Sequence, residues 1–205
     1  SQGFVDVDGW ESKVDIMGCT FRTQNISRDA TLINTYGDSF FRYNSIIENE
    51  DSFPENRKIG ICYFSSSSGV AFHCTVNASL NNASTKLKCA YVWSCRFQNC
   101  FRAVEGAEGI EDSLFVKCTS VVFSSKVEAK NCQFVDCYDR IFPSCMGCEA
   151  TIEYCKFINI KFEDSVTSQL IFLDPCGNEK SRIQNCIFDG ITIQPDKVGS
   201  IFVSS

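Results

Sequence analysis

Fourteen cysteines in 205 residues are the side chains best equipped for chemistry in this chain. Thiols can cross-link, ligate a soft metal or act as nucleophiles, and spacing decides among these. The stretch KNCQFVDCYDRIF (130–142) carries two cysteines five residues apart, with a phenylalanine two residues after the first. Mixed His/Cys zinc sites need histidines, and the chain has one, His73; an all-cysteine site stays open. PSCMGC (143–148) holds Cys145 and Cys148 as a C-x-x-C pair in a Pro- and Gly-containing loop, as a local disulfide or two free thiols. Zinc there would need two more ligands, and Cys176 could supply one. Neither a helix N-terminus nor a βαβ setting, which a redox pair would want, is visible around it.

The positioning elements emerge from copies of that stretch. WSCRFQNCFRAV (93–104), EDSLFVKCTSVVF (111–123), EYCKFINIKF (153–162) and QNCIFDGITI (184–193) repeat it, with weaker copies around GCTF, NSIIEN and ICYF. The phenylalanine positions run 21, 47 (Ile), 64, 97, 115, 134, 157 and 188, and the short spacings of 17 to 19 residues set a minimum unit. Cys and Phe at i and i+2 share one face of a strand. Two residues after the Phe register stand turn-tolerant types at Asn49, Ser66, Asn99, Asp136, Asn159 and Gly190. A second apolar strand follows, and a third leads back. No apolar period of 3.6 residues is present. Three short strands per unit predict a β-solenoid: an all-β, right-handed parallel β-helix of about eight rungs with inserted loops, one domain over residues 1–205.

Stacking the units aligns Cys19, Cys62, Cys95, Cys132, Cys155 and Cys186, with Ser45 and Ser113 in the same line. A second line carries Cys100, Cys118 and Cys137, then Ile160 and Ile191. Isoleucine can replace a buried thiol but not a disulfide partner or metal ligand. The expectation is a ladder of free, buried thiols at the rung spacing of about 4.8 Å. In-register cysteines have Cβ atoms pointing the same way, which strains a bridge. Cys74 and Cys89 flank an insert and are either linked or simply buried. Phe21, Phe64, Phe97, Phe115, Phe134, Phe157 and Phe188 should form one inward column, with Ile47 in line.

The N/S-C-x-F-x-N/D-C blocks at 94–100, 131–137 and, in part, 184–188 resemble those of the right-handed parallel β-helix superfamily, which includes pectate-lyase-like proteins and the polymorphic outer-membrane-protein type of adhesin repeat. FRYN (41–44) is similar to the adhesin group's short motif. The resemblance covers most of the chain. It implies a β-helix and, for function, either a surface scaffold or a carbohydrate-active enzyme. Lyases of the superfamily use aspartates for calcium and an Arg or Lys base; hydrolases use aspartates with GHG and RxK motifs. This chain has neither motif.

Acid pairs occur at Asp6/Asp8, Glu111/Asp112 and Glu163/Asp164, and each reads as a solvated edge or turn. His73, between Phe72 and Cys74, should face solvent. A net charge of −6 without a basic cluster excludes a nucleic-acid surface. No apolar run of about 18 residues exists to span a membrane. No cofactor motif appears. Sequons stand at Asn25, Asn77 and Asn82, the last two in the polar insert VNASLNNASTK, which could accommodate a glycan.

These features predict a non-catalytic extracellular or cell-surface scaffold, an adhesin or coat module. Its inserts at 48–58, 76–86, 163–169 and 174–182 would present glycan or protein contacts. Partners would be surface glycans, or neighbouring β-helix segments or subunits stacked end-on, with the chain a piece of a longer protein. The alternative is a polysaccharide lyase or glycoside hydrolase. Three or more convergent acids with a base in a groove would favour the enzyme; aromatic side chains along a shallow groove without acids would favour passive glycan binding.

Overall fold

The computed structural model describes residues 3–7, 13–53, 55, 59–124, 126–142, 150–162, 167–173, 181–193 and 198–204. It is a parallel β-solenoid, and every strand pairing is parallel. Sheet A orders β1 (Gly3–Val7), β4 (Ala30–Thr35), β7 (Ile61–Ser66), β10 (Thr85–Lys88), β13 (Arg102–Glu105) and β16 (Val122–Phe123). Sheet B stacks eight strands: β2 (Asp15–Met17), β5 (Phe40–Arg42), β8 (Val70–Phe72), β11 (Tyr91–Trp93), β14 (Gly109–Glu111), β17 (Val127–Lys130), β19 (Ala150–Glu153) and β23 (Arg182–Gln184). Sheet C stacks eight more: β3 (Thr20–Arg22), β6 (Ser45–Ile47), β9 (Thr75–Asn77), β12 (Arg96–Gln98), β15 (Leu114–Val116), β18 (Gln133–Val135), β20 (Lys156–Ile158) and β24 (Ile187–Asp189). Two small pairs complete the later rungs: β21 (Lys161–Phe162) with β25 (Thr192–Ile193), and β22 (Thr167–Leu173) with β26 (Val198–Ser204). Residues 167–169, expected in a loop, are therefore strand. Among the described residues the only helical piece is a 3₁₀ turn at Glu50–Ser52.

The corner between sheets B and C is the strictest feature of the fold. Gly18, Tyr43, His73, Ser94, Asp112, Asn131, Tyr154 and Asn185 all have φ between 48° and 70°, one per rung. That left-handed bend turns the chain sharply while its N–H still reaches the next rung, as in His73 to the Trp93 carbonyl at 3.0 Å and Ser94 to Glu111 at 3.0 Å. His73 faces solvent as expected, but as a corner residue; its neighbour Phe72 points out and Cys74 in.

Sheet C contributes the aromatic column, with two corrections to the sequence reading. The observed register is Phe21, Ile46, Val76, Phe97, Phe115, Phe134, Phe157 and Phe188. Ile46 replaces the expected Ile47, and Val76 replaces Phe64. Phe64 is fully buried but belongs to sheet A, in line with Ile33 and Leu87. Rings from Phe97 to Phe188 stack in series with centroids 4.7 to 5.0 Å apart and planes within 10°. Phe21 and Phe188, at opposite ends of the column, are only half-buried. The turns after the column are left-handed at Asn99, Lys117, Asp136, Asn159 and Gly190; Asn49 is extended, and Ser66 lies within β7.

Candidate functional site

The cysteines are interior structure. All eleven described cysteines are free. The column preceding the phenylalanines is Cys19, Asn44, Cys74, Cys95, Ser113, Cys132, Cys155 and Cys186 by the sheet C register. Cys62 does not belong to it: this buried thiol stands in sheet A opposite Thr31. Cys74, expected off the ladder, is on it. Cys19 is exposed and Cys186 half-buried, so burial is complete only in the middle. Cys145, Cys148 and Cys176 lie outside the described residues, as do Asp8, Glu163 and Asp164. Among the described residues no three His, Cys, Asp or Glu side chains stand together as a metal site.

The sequons fare unequally. Asn25 and Asn77 are exposed. Asn82 is fully buried. Its oxygen accepts the Ile61 and Ser84 N–H groups at 3.0 and 3.1 Å, and its amide donates to Glu48 and to the Ile61 carbonyl. A glycan at Asn82 is incompatible with this packing, so the insert is an internal strap at that point. Gly60 permits it: a Cβ there would lie 2.0 Å from the Asn82 oxygen. Lys86 is also fully enclosed, donating to the Asn82 and Ser84 carbonyls at 3.0 and 2.8 Å, and burial lowers its pKa.

The surface suited to an encounter is the outer face of sheet B. Strand alternation sends Ala71, Val92, Ile110 and Ala129 inward, so their neighbours point to solvent. On rungs two to four those neighbours are Phe40, Arg42, Val70, Phe72, Tyr91 and Trp93, with Tyr43, His73 and Ser94 at the corner. Phe40, Tyr43, Tyr91 and Trp93 are 40 to 53% exposed, far more than large aromatic rings usually are. They form a connected surface. Tyr43 stacks on His73 at 5.3 Å, and Phe72 meets Tyr43 and Trp93 edge to face at 5.5 and 5.2 Å. Apolar rings clustered at a surface rather than scattered over it mark an interaction site.

On the next rungs charged side chains join the apolar ones. A groove of about 320 Å³ is lined by Val70, Tyr91, Trp93, Gly109, Glu111, Glu128 and Lys130, among others. A second, of about 370 Å³, shares Val70 and Tyr91 and continues past Phe40 and Glu108. The acids are mostly engaged. Asp112 accepts from the Trp93 indole at 3.1 Å and from Asn131 at 2.5 Å. Glu128 pairs with Lys130 at 3.5 Å, and Glu108 accepts from the Tyr91 hydroxyl at 3.4 Å. The pair Glu111/Asp112, expected as a solvated turn, is exposed but borders this groove. The aromatic face itself escaped the sequence reading. The available signal was alternation: YVW and VAF lie immediately before the corner residue, so their outer members must face water. No described helix is long and apolar enough to cross a membrane.

Compared with known proteins, the chain matches no family model, no curated protein and no solved structure.

Proposed function

We propose that this protein is a non-catalytic extracellular or cell-surface β-helix scaffold that binds glycans through its outer surface, as the resemblance to adhesin-type repeats implies. The observation that carries the proposal is the exposed aromatic face of sheet B with its shallow grooves. It differs from the expected mode of presentation in one respect: the contact surface is a rigid sheet face rather than the inserted loops. Rigidity favours binding because little side-chain order is lost when a ligand settles. In an oxidising exterior the enclosed thiols of the middle rungs would be shielded from oxidants, whereas exposed Cys19 would not.

The groove also holds acids beside Lys130, the arrangement that would favour the enzyme, and we prefer binding over hydrolysis because most of those acids are engaged. Glycoside cleavage generally takes two carboxyl groups flanking the scissile bond. Here Asp112, Glu128 and Glu108 are held by neighbours. The test is retention of the intact chain on immobilised polysaccharides, with new reducing ends and unsaturated products assayed in the same sample. Retention without product, lost in the double variant Tyr91→Ala/Trp93→Ala, is the expected outcome. Steady product release would replace the scaffold with a hydrolase or lyase.

A further inference from the structure

Resting on the glycan-binding reading, we propose that the groove beside Tyr91 and Trp93 is a subsite for an uncharged hexopyranose, so that the preferred ligand is a neutral polysaccharide and acidic ones are rejected.

Three features lead there. The first is a pair of exposed rings. Tyr91 and Trp93 stand two apart on β11 and therefore present their rings side by side on one face. Tyr91 lies across the neighbouring rung at Gly109, where an added Cβ would come within 2.8 Å of the tyrosine ring. Every larger residue at 109 would push that ring off the sheet. The indole is oriented by its hydrogen bond to Asp112. Such a pair suits the C–H face of a pyranose, an apolar surface edged by hydroxyls.

The second is the edge of this surface. Glu128 and Lys130, paired at 3.5 Å, place acceptors and a donor next to each other, and both line the groove. Vicinal hydroxyls need that combination. Glu111 also lines it, and its carboxylate has no ion pair or hydrogen bond among the described residues. It is free to accept from a sugar hydroxyl.

The third is charge. Asp38, Glu108, Glu111, Asp112 and Glu128 line or border the two grooves beside the rings, against Lys13 and Lys130. A uronate, sialate or sulfate would meet like charge there, which works against binding. A cation is less suited than a neutral ring: two rings on one face do not make an enclosing cage, and Lys130 stands in the wall.

The experiment is titration of the intact chain, followed by tryptophan fluorescence and calorimetry, with three hexasaccharides: β-1,4-linked glucose, galacturonate and glucosamine. The glucose oligomer should bind at least tenfold more tightly than the galacturonate. Trp93→Ala should weaken the glucose oligomer at least tenfold, and Gly109→Val should weaken it by displacing Tyr91. Glu111→Gln keeps an acceptor and removes a charge, so it should narrow the neutral-over-acidic preference several-fold while changing glucose binding less than threefold. Melting curves of each variant establish folding. Tighter binding of galacturonate or glucosamine, or glucose binding that ignores Trp93 but needs Tyr43 and Phe72, would overturn the subsite and leave the scaffold reading intact. No binding of any polysaccharide by a folded chain would overturn both.

Discussion

Two lines of small side chains flank the same aromatic column, and they solve opposite problems. The line before the phenylalanines sits just inside the sharp corner between sheets B and C, where backbone groups turn away from their strand partners. Its side chains answer them. Asn44 accepts the Cys19 N–H at 2.9 Å and donates to the Ile16 carbonyl at 2.8 Å. Ser113 accepts the Cys95 N–H at 3.1 Å and donates to the Glu111 carbonyl at 2.9 Å. Cys132 donates to the Lys130 carbonyl at 3.2 Å. The occupants, Cys, Ser and Asn, share polarity and small size. The line after the column runs Cys118, Cys137, Ile160, Ile191 and tolerates a purely apolar occupant. Cysteine serves in both lines because a thiol is a small hydrophobe and a weak donor at once.

The largest expected effect comes from the column both lines pack against. Phe134→Ala should cost about 3–5 kcal/mol, read as a shift in urea midpoint, whereas half-buried Phe21→Ala should cost clearly less. Equal costs would mean that the outer rung is as well packed as the middle.

Alkali should act next. Burial pushes the Cys62 thiol up to about 11 and raises Cys89 and Cys118 as well. A folded pKa above the unfolded value of about 9 means that the folded state holds the proton longer. Stability is then intact below pH 9 and falls as pH climbs through the folded pKa, by about 3 kcal/mol for Cys62 alone. Lys86, lowered by burial, works in the opposite direction up to its ordinary value. Cys74 and Cys155, lowered by hydrogen bonds with Cys95 and Cys132, oppose the raised thiols too; the raised group, which also includes Cys95, Cys132 and Cys137, is the larger, so the urea midpoint should drop between pH 8.5 and 11. An unchanged midpoint would show that the thiols are not buried in solution.

The direct comparison of the two lines uses one substitution twice. Cys132→Val removes a donor to the Lys130 carbonyl, which keeps the Asp112 N–H at 3.1 Å, and should cost about 0.5–1.5 kcal/mol, while Cys132→Ser should recover much of that loss. Cys137→Val should cost about 1 kcal/mol or less, because its line already accepts isoleucine. If the two valine variants lose equal stability, the polar role of the first line is wrong. The smallest effect is kinetic: Cys19 should react with an alkylating reagent in the native protein at near the free-thiol rate, while Cys132 and Cys137 react only on unfolding.

Residue types and their spacing sufficed for the solenoid, its eight rungs and the free-thiol interior, because a period of two and a recurring cassette follow from strand geometry. They misplaced two rungs for a reason that can be stated. Cys62-x-Phe64 has the spacing of the cassette, and alternation is the same in every sheet, so spacing cannot say which sheet a strand joins. The corner conformation can. Ile61 precedes Cys62, and a β-branched residue resists positive φ; His73 precedes Cys74 and adopts it at 50°. The second rung slipped by one residue: the expected lines ran through Ser45 and Ile47, but Tyr43 takes the bend, so Asn44 and Ile46 turn inward. Only the tertiary structure decided that Asn82 is enclosed, since that depends on Glu48 and Ile61 arriving from other rungs. The aromatic face is likewise tertiary. Phe40, Phe72, Tyr91 and Trp93 are separated in sequence by whole turns of the solenoid, and become one surface because parallel stacking sets successive rungs side by side.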